Sequence, residues 1–234
     1  MSERKRQKRN NDNEKKSITI TKFEQFPNEL LLICFDYFDY YGLCQSFFGL
    51  NQRFDQLITY ESKIHMDLES IPEQYFLTYC IQFHHLVMKS GKFPLSFQTN
   101  DQYRLDLMFA DYFFKDKFSK LKSLTLQNIK VDSVYEFIFD KDTKLYENLQ
   151  RINLMNIECE KSNSANLLTY NLISPKMKSL TYLNMNFQPC SPCKCGYNNA
   201  SLEINLKAGS IVSYGTGANA ISFRTAEHAV SSLR

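Results

Sequence analysis

The nine residues LKSLTLQNI (121–129) decide the fold: Leu121, Leu124, Leu126 and Ile129 are separated by two, one and two residues. The spacing returns in LQRINLMNI (149–157) and in MKSLTYLNM (177–185), so successive copies start 28 residues apart. Alternation at Leu124 and Leu126 is the period of a strand with one buried face. Leu121 and Ile129 then cap the turns at its two ends. Between copies, VDSVYEFIFDKDTKLYE and SNSANLLTYNLISP hold enough apolar residues for a returning helix. Stacked units of this kind bury a continuous core and align their strands in parallel. The competing reading is an ordinary α/β layer with coincidental spacing. If the units stack, the residues between the inward positions share one open face: Ser123, Thr125 and Gln127, then Arg151, Asn153 and Met155, then Ser179, Thr181 and Leu183. Of these, Thr125, Gln127, Arg151, Asn153 and Thr181 are the candidate contacts for a bound protein.

Toward the N-terminus lies KFEQFPNELLLICFDYFDYYGLCQSFFGLNQRFDQLI (22–58). Pro27 suits the first position of a helix, where a missing N–H costs nothing. Glu29 falls in the first turn, where its charge complements the helix dipole. Asp39 to Gly42 reads as a turn. Leu43, Phe47, Leu50, Phe54 and Leu57 continue at helical spacing, which predicts three short helices. In the first, Leu30, Ile33, Cys34 and Tyr37 form one apolar stripe, and Leu31, Phe35 and Phe38 form a second beside it. A helix so apolar around its circumference is normally buried on most sides. A unit of roughly 40 residues has too little interior for that. The surplus face therefore meets either the rest of the chain or another protein.

Segment 22–58 resembles the F-box. The matching residues are Phe26-Pro27-Asn28-Glu29-Leu30-Leu31, then Ile33, Phe35, Phe38 and Leu43, then Leu50-Asn51-Gln52-Arg53-Phe54. Phe26 stands where Leu is usual and Phe54 where many members have Trp; both stay apolar. The resemblance implies a non-enzymatic subunit of an SCF-type ubiquitin ligase, whose F-box helices bind a Skp-type adaptor hung from a cullin. Carried onto this sequence, Pro27, Leu30, Leu31, Phe35, Phe38 and Leu43 furnish the adaptor-facing patch. The remainder would recruit a protein substrate of unknown identity. The nine-residue copies in turn resemble leucine-rich repeats, which often follow an F-box. They lack the usual Asn or Cys at the ladder position, where Ile129, Ile157 and Met185 stand instead.

The expected architecture is therefore α/β, mostly α at the N-terminus. It comprises a disordered basic leader (1–20), the three-helix segment (22–60) and a helical joint (61–118) with one helix over Ile81 to Met88. A repeat region (119–190) and a poorly ordered tail (191–234) follow. That tail holds six of the chain's eight alanines and reads as little periodic, with one short strand around Leu202–Leu206.

Composition narrows the function classes. Formal net charge is +3, and residues 1–16 hold seven basic side chains against three acids. The other residues carry 21 basic and 22 acidic groups, so no basic surface argues for nucleic acid as the main ligand. The leader itself reads as a solvated tail or a nuclear localisation signal. No window is apolar enough for a membrane span. Seven cysteines, an odd number, fit free thiols in a reducing compartment, so the expected location is cytoplasmic or nuclear. Cys190, Cys193 and Cys195 have the thiol density of a metal site but lack a fourth ligand at usable spacing. Adjacent His84 and His85 point about 100° apart on a helix and cannot readily share an ion. With no phosphate-binding glycine loop and no nucleophile motif either, no metal, cofactor or catalysis is expected.

Overall fold

The structure, a computed structural model, describes residues 22–110, 116–159 and 162–188, together with the backbone of 201–205 and 210–214. Three short helices come first: α1 (Asn28–Phe35), α2 (Tyr40–Phe47) and α3 (Gln52–Gln56), the last widening into a π turn over Leu57–Glu61. Pro27 sits one place outside α1, as its cap, rather than inside its first turn. The Asp39 carboxylate accepts from Gly42 N–H and starts α2. The Asn51 amide oxygen accepts from Phe54 N–H at 3.0 Å and starts α3. Both caps supply acceptors for otherwise orphaned N–H groups.

A sheet follows whose spatial order is its chain order. Its strands are β1 (His65–Asp67), β2 (Ser96–Thr99), β3 (Ser123–Gln127), β4 (Arg151–Ile157) and β5 (Tyr182–Phe187). All four pairings among these five are parallel. Two antiparallel strands, β6 (Ser201–Asn205) and β7 (Ser210–Tyr214), extend it, where the sequence suggested one. Parallel neighbours require crossovers, and helices supply them: α4 (Phe76–Ser90), α5 (Gln102–Ala110), α6 (Val131–Phe139), α7 (Leu145–Asn148) and α8 (Ser162–Leu172). Leader residues 1–20, most of the tail and Cys190, Cys193 and Cys195 lie outside the described residues.

One face of the sheet makes the core. Register aligns Met66, Phe97, Leu124, Ile152 and Leu183 in one row. Thr99, Leu126, Leu154 and Met185 form the next. All are buried. Helices cover these rows: the Phe97 ring lies 5.8 Å from Phe109 on α5 and 6.0 Å from Phe137 on α6, between centroids. The opposite residues of each strand stay partly exposed.

Two expectations are corrected here. Segment 61–118 is not a purely helical joint, because β1 and β2 lie within it. These strands are only three and four residues long, too short for alternation to stand out from the helical stretches around them. The third nine-residue copy is also displaced. Tyr182, not Ser179, lies opposite Arg151. A three-residue shift is odd and so exchanges the two faces of a strand. The observed register buries Leu183, Met185 and Phe187. The expected one would have turned Leu183 outward and Tyr182 inward.

Candidate protein-binding surfaces

Two surfaces stand out among the described residues, one on the three-helix segment and one on the open face of the sheet. Within α1 the two stripes separate at Leu30 and Ile33 against Leu31 and Phe35, while Phe38, beyond the helix end, is exposed. Leu31 and Phe35 point inward and are buried, with Leu43 of α2 and Phe54 of α3. Phe47 lies at the hub of an aromatic cluster, 5.2 Å from Phe35, 5.5 Å from Phe23 and 6.0 Å from Phe54 between centroids. Arg53 fastens α3 to the approach of α1: Nε donates to Asn28 Oδ1 at 2.7 Å, and the terminal nitrogens donate to the Glu24 and Phe26 carbonyls at 2.8 and 2.6 Å.

The other stripe faces outward. Leu30 is 48% exposed, Ile33 55% and Tyr37 86%. Phe38, Phe48 and Leu50 are exposed as well. Six exposed large apolar side chains thus fall within 21 residues of this short helical unit, more than its own three helices can cover. Of the six residues expected to face an adaptor, Pro27, Leu30 and Phe38 are accessible. Leu31, Phe35 and Leu43 are not: each has 1% exposure or less and holds the three helices together. Ile33, Tyr37, Phe48 and Leu50 take their place on the surface. Their signal was in the sequence, since Ile33 and Tyr37 share the Leu30 stripe, but either stripe could have been the inner one.

The open face of the sheet is polar. Gln98, Thr125, Asn153 and Asn184 align across four strands, and Asp67 begins the row. Asn184 donates its amide N–H to Asn153 Oδ1 at 2.9 Å. A second row runs His65, Ser96, Ser123, Arg151 and Tyr182. In it, His65 Nδ1 lies 2.7 Å from Ser96 Oγ, and the Arg151 guanidinium lies over the Tyr182 ring at 5.8 Å. Four of the five expected contacts, Thr125, Gln127, Arg151 and Asn153, thus share this face. Thr181 does not: it precedes β5, and its hydroxyl donates to the Gln150 carbonyl at 2.9 Å on the rim. Tyr182 and Asn184 are the contacts that the displaced copy concealed.

Where the face meets the helices, the turn after α1 overhangs β1 to β3 and encloses a cleft of about 310 Å³. Asp36, Tyr37 and Asp39 line it from above, and His65, Asp67 and Gln98 from below. Asp36 is paired with Lys63 at 2.5 Å. Burial lowers the His65 pKa, which favours the neutral ring, and raises that of Asp67. A second groove of about 390 Å³ lies between α2 and α4, with Phe48 among its lining residues. Cys44 lines that groove, and burial pushes its pKa up to about 11, so it stays a thiol at neutral pH.

No described helix is long and apolar enough to cross a membrane. Among the described residues no cluster of three His, Cys, Asp or Glu could hold a metal ion. Compared with known proteins, the chain matches no family model, no curated protein and no solved structure.

Proposed function

We propose that the chain is an F-box-type substrate receptor, docking a Skp-type adaptor on its N-terminal helices and a protein substrate on the open face of a leucine-rich-repeat-like sheet. One observation carries the reading: the three helices close their own interior with Leu31, Phe35, Leu43 and Phe54, yet leave Leu30, Ile33, Tyr37, Phe38, Phe48 and Leu50 in contact with water. Large apolar side chains are costly to leave solvated, and this number of them on one small unit fits a protein contact. The resemblance of residues 22–58 to the F-box supplies the identity of the partner. A sheet in chain order with helices against its core face and polar side chains on the other supports the second half, because stacked units leave an extended face free for binding. The catalytic cysteine and the transferred ubiquitin belong to other subunits, so no residue here needs an activated pKa.

The reading is tested by capture of a purified Skp-type adaptor on the full chain and on a Leu30→Asp, Ile33→Asp variant. Both substituted positions are exposed, so the variant keeps its circular dichroism spectrum and its Tm. Capture by the parent and not by the folded variant is the expected result. A well-folded parent that captures no adaptor would leave a repeat-based interaction scaffold without a ligase link.

A further inference from the structure

The chemistry of the open face limits what it can hold. Its central row consists of Gln98, Thr125, Asn153 and Asn184, all uncharged and all able both to donate and to accept hydrogen bonds. At the spacing of neighbouring strands these four span about 14 Å. The second row adds two serine hydroxyls and the ring of Tyr182. Ser, Asn and Tyr are the side chains that dominate protein-recognising paratopes, since rigid aromatics supply area and small polar groups supply adaptable hydrogen bonds.

Charge points the same way. Two formal charges lie on the two rows of β1 to β5: Asp67, and Arg151, whose guanidinium already lies over the Tyr182 ring. Lowering of the His65 pKa by burial removes a third at neutral pH. Recognition of a phosphorylated segment uses clusters of arginine in bidentate geometry. Here a single arginine is present, and the cleft at the end of the face carries the Asp36, Asp39 and Asp67 carboxylates against the one Lys63. A phosphate placed there would meet like charge, which disfavours the wrong partner as strongly as contacts favour the right one.

We infer that the open face takes an unphosphorylated protein segment presenting uncharged amide and hydroxyl side chains, and that it discriminates against phosphorylated ones. The inference deepens the proposed receptor role and rests on it for the fate of the bound protein, but not for the binding itself.

The test uses the full chain and two display libraries of random peptides, one with a fixed central serine and one with a phosphoserine in its place. The serine library yields the binders. Their affinity changes by less than about threefold between low salt and roughly 0.5 M, because little of it is ionic. It falls by about tenfold on Asn153→Ala with Asn184→Ala, the loss of about two neutral hydrogen bonds. Thr125→Lys, whose side chain also faces outward, is an independent second block, and circular dichroism confirms that each variant folds. Binders drawn from the phosphoserine library, or binders from either library that these folded variants leave unaffected, would overturn the inference, as would a failure of both libraries. Adaptor capture is read separately on the parent chain. Peptide binding without capture would remove the ligase role and leave the selectivity of the face standing; capture without peptide binding would do the reverse.

Discussion

Asn128 and Asn156 stand 28 residues apart, and both hold a left-handed backbone, with φ of 55° and 52°. Asn128 follows β3, and Asn156 lies in the irregular register between Leu154 and Ile157, where one extra residue is accommodated. Asparagine visits this region at lower cost than most residues because its short amide bonds locally. Asn156→Val is therefore expected to lower stability by about 1–2 kcal/mol, while Asn156→Gly leaves it nearly unchanged; urea unfolding midpoints separate the two. The repeated Asn-Ile pair is visible in the sequence, but its backbone conformation is not, since it depends on how each strand pairs with its neighbour. Arg53 offers a second test. Its three hydrogen bonds join α3 to the segment before α1, and Arg53→Ala should cost about 1–2 kcal/mol. Lysine should not restore it, because an ammonium cannot reproduce the fork.

His65 sets a pH dependence. Burial lowers its folded pKa, with Asp36 opposing and Lys63 adding to the effect. The unfolded chain thus binds the proton first, near the ordinary value of about 6.5. In the window below that value the unfolded state holds more protons, so stability rises with pH through it. Asp67 works in the opposite sense at lower pH, since its pKa is raised. The urea midpoint should therefore increase between about pH 5.5 and 7.5, and His65→Asn should flatten that slope. A slope unchanged in the variant would assign the effect to another group.

Among the elements, α1 separates packing from binding. Leu31 and Leu30 are neighbours of the same chemistry, one buried and one half exposed. Leu31→Ala should cost about 2–5 kcal/mol. Leu30→Ala should cost well under 1 kcal/mol in the free chain, since substitutions on the surface rarely exceed ±0.5 kcal/mol; thermal unfolding of the pair decides it. Sequence spacing placed both on apolar stripes of one helix and could not say which was inside, because that depends on Phe47 and Phe54 arriving from α2 and α3. β3 and β4 were legible for the opposite reason: alternation over the five residues of β3 and the first five of β4 leaves one buried face. β5 was legible as a strand but not in register, because Leu180 and Leu183 both fit an apolar residue three places after another. Burial of Phe187 settles the register, and Phe187 lies beyond the nine-residue window.

Across the whole molecule, the two surfaces lie close together. The turn after α1 carries Tyr37 and Phe38 and also roofs the cleft at the start of the sheet face. One continuous core runs from Leu31 to Phe187, so the helices and the sheet behave as one body. In the proposed receptor role, this arrangement would hold a bound protein beside an adaptor docked on the helices.

Hydrogen–deuterium exchange of the full chain, with and without a Skp-type adaptor, tests the two-surface account most directly. Slowed exchange confined to 28–50, with β2 to β5 unchanged, is the result the account requires. Protection spread over the strands of the sheet, or no protection anywhere at saturating adaptor, would contradict it.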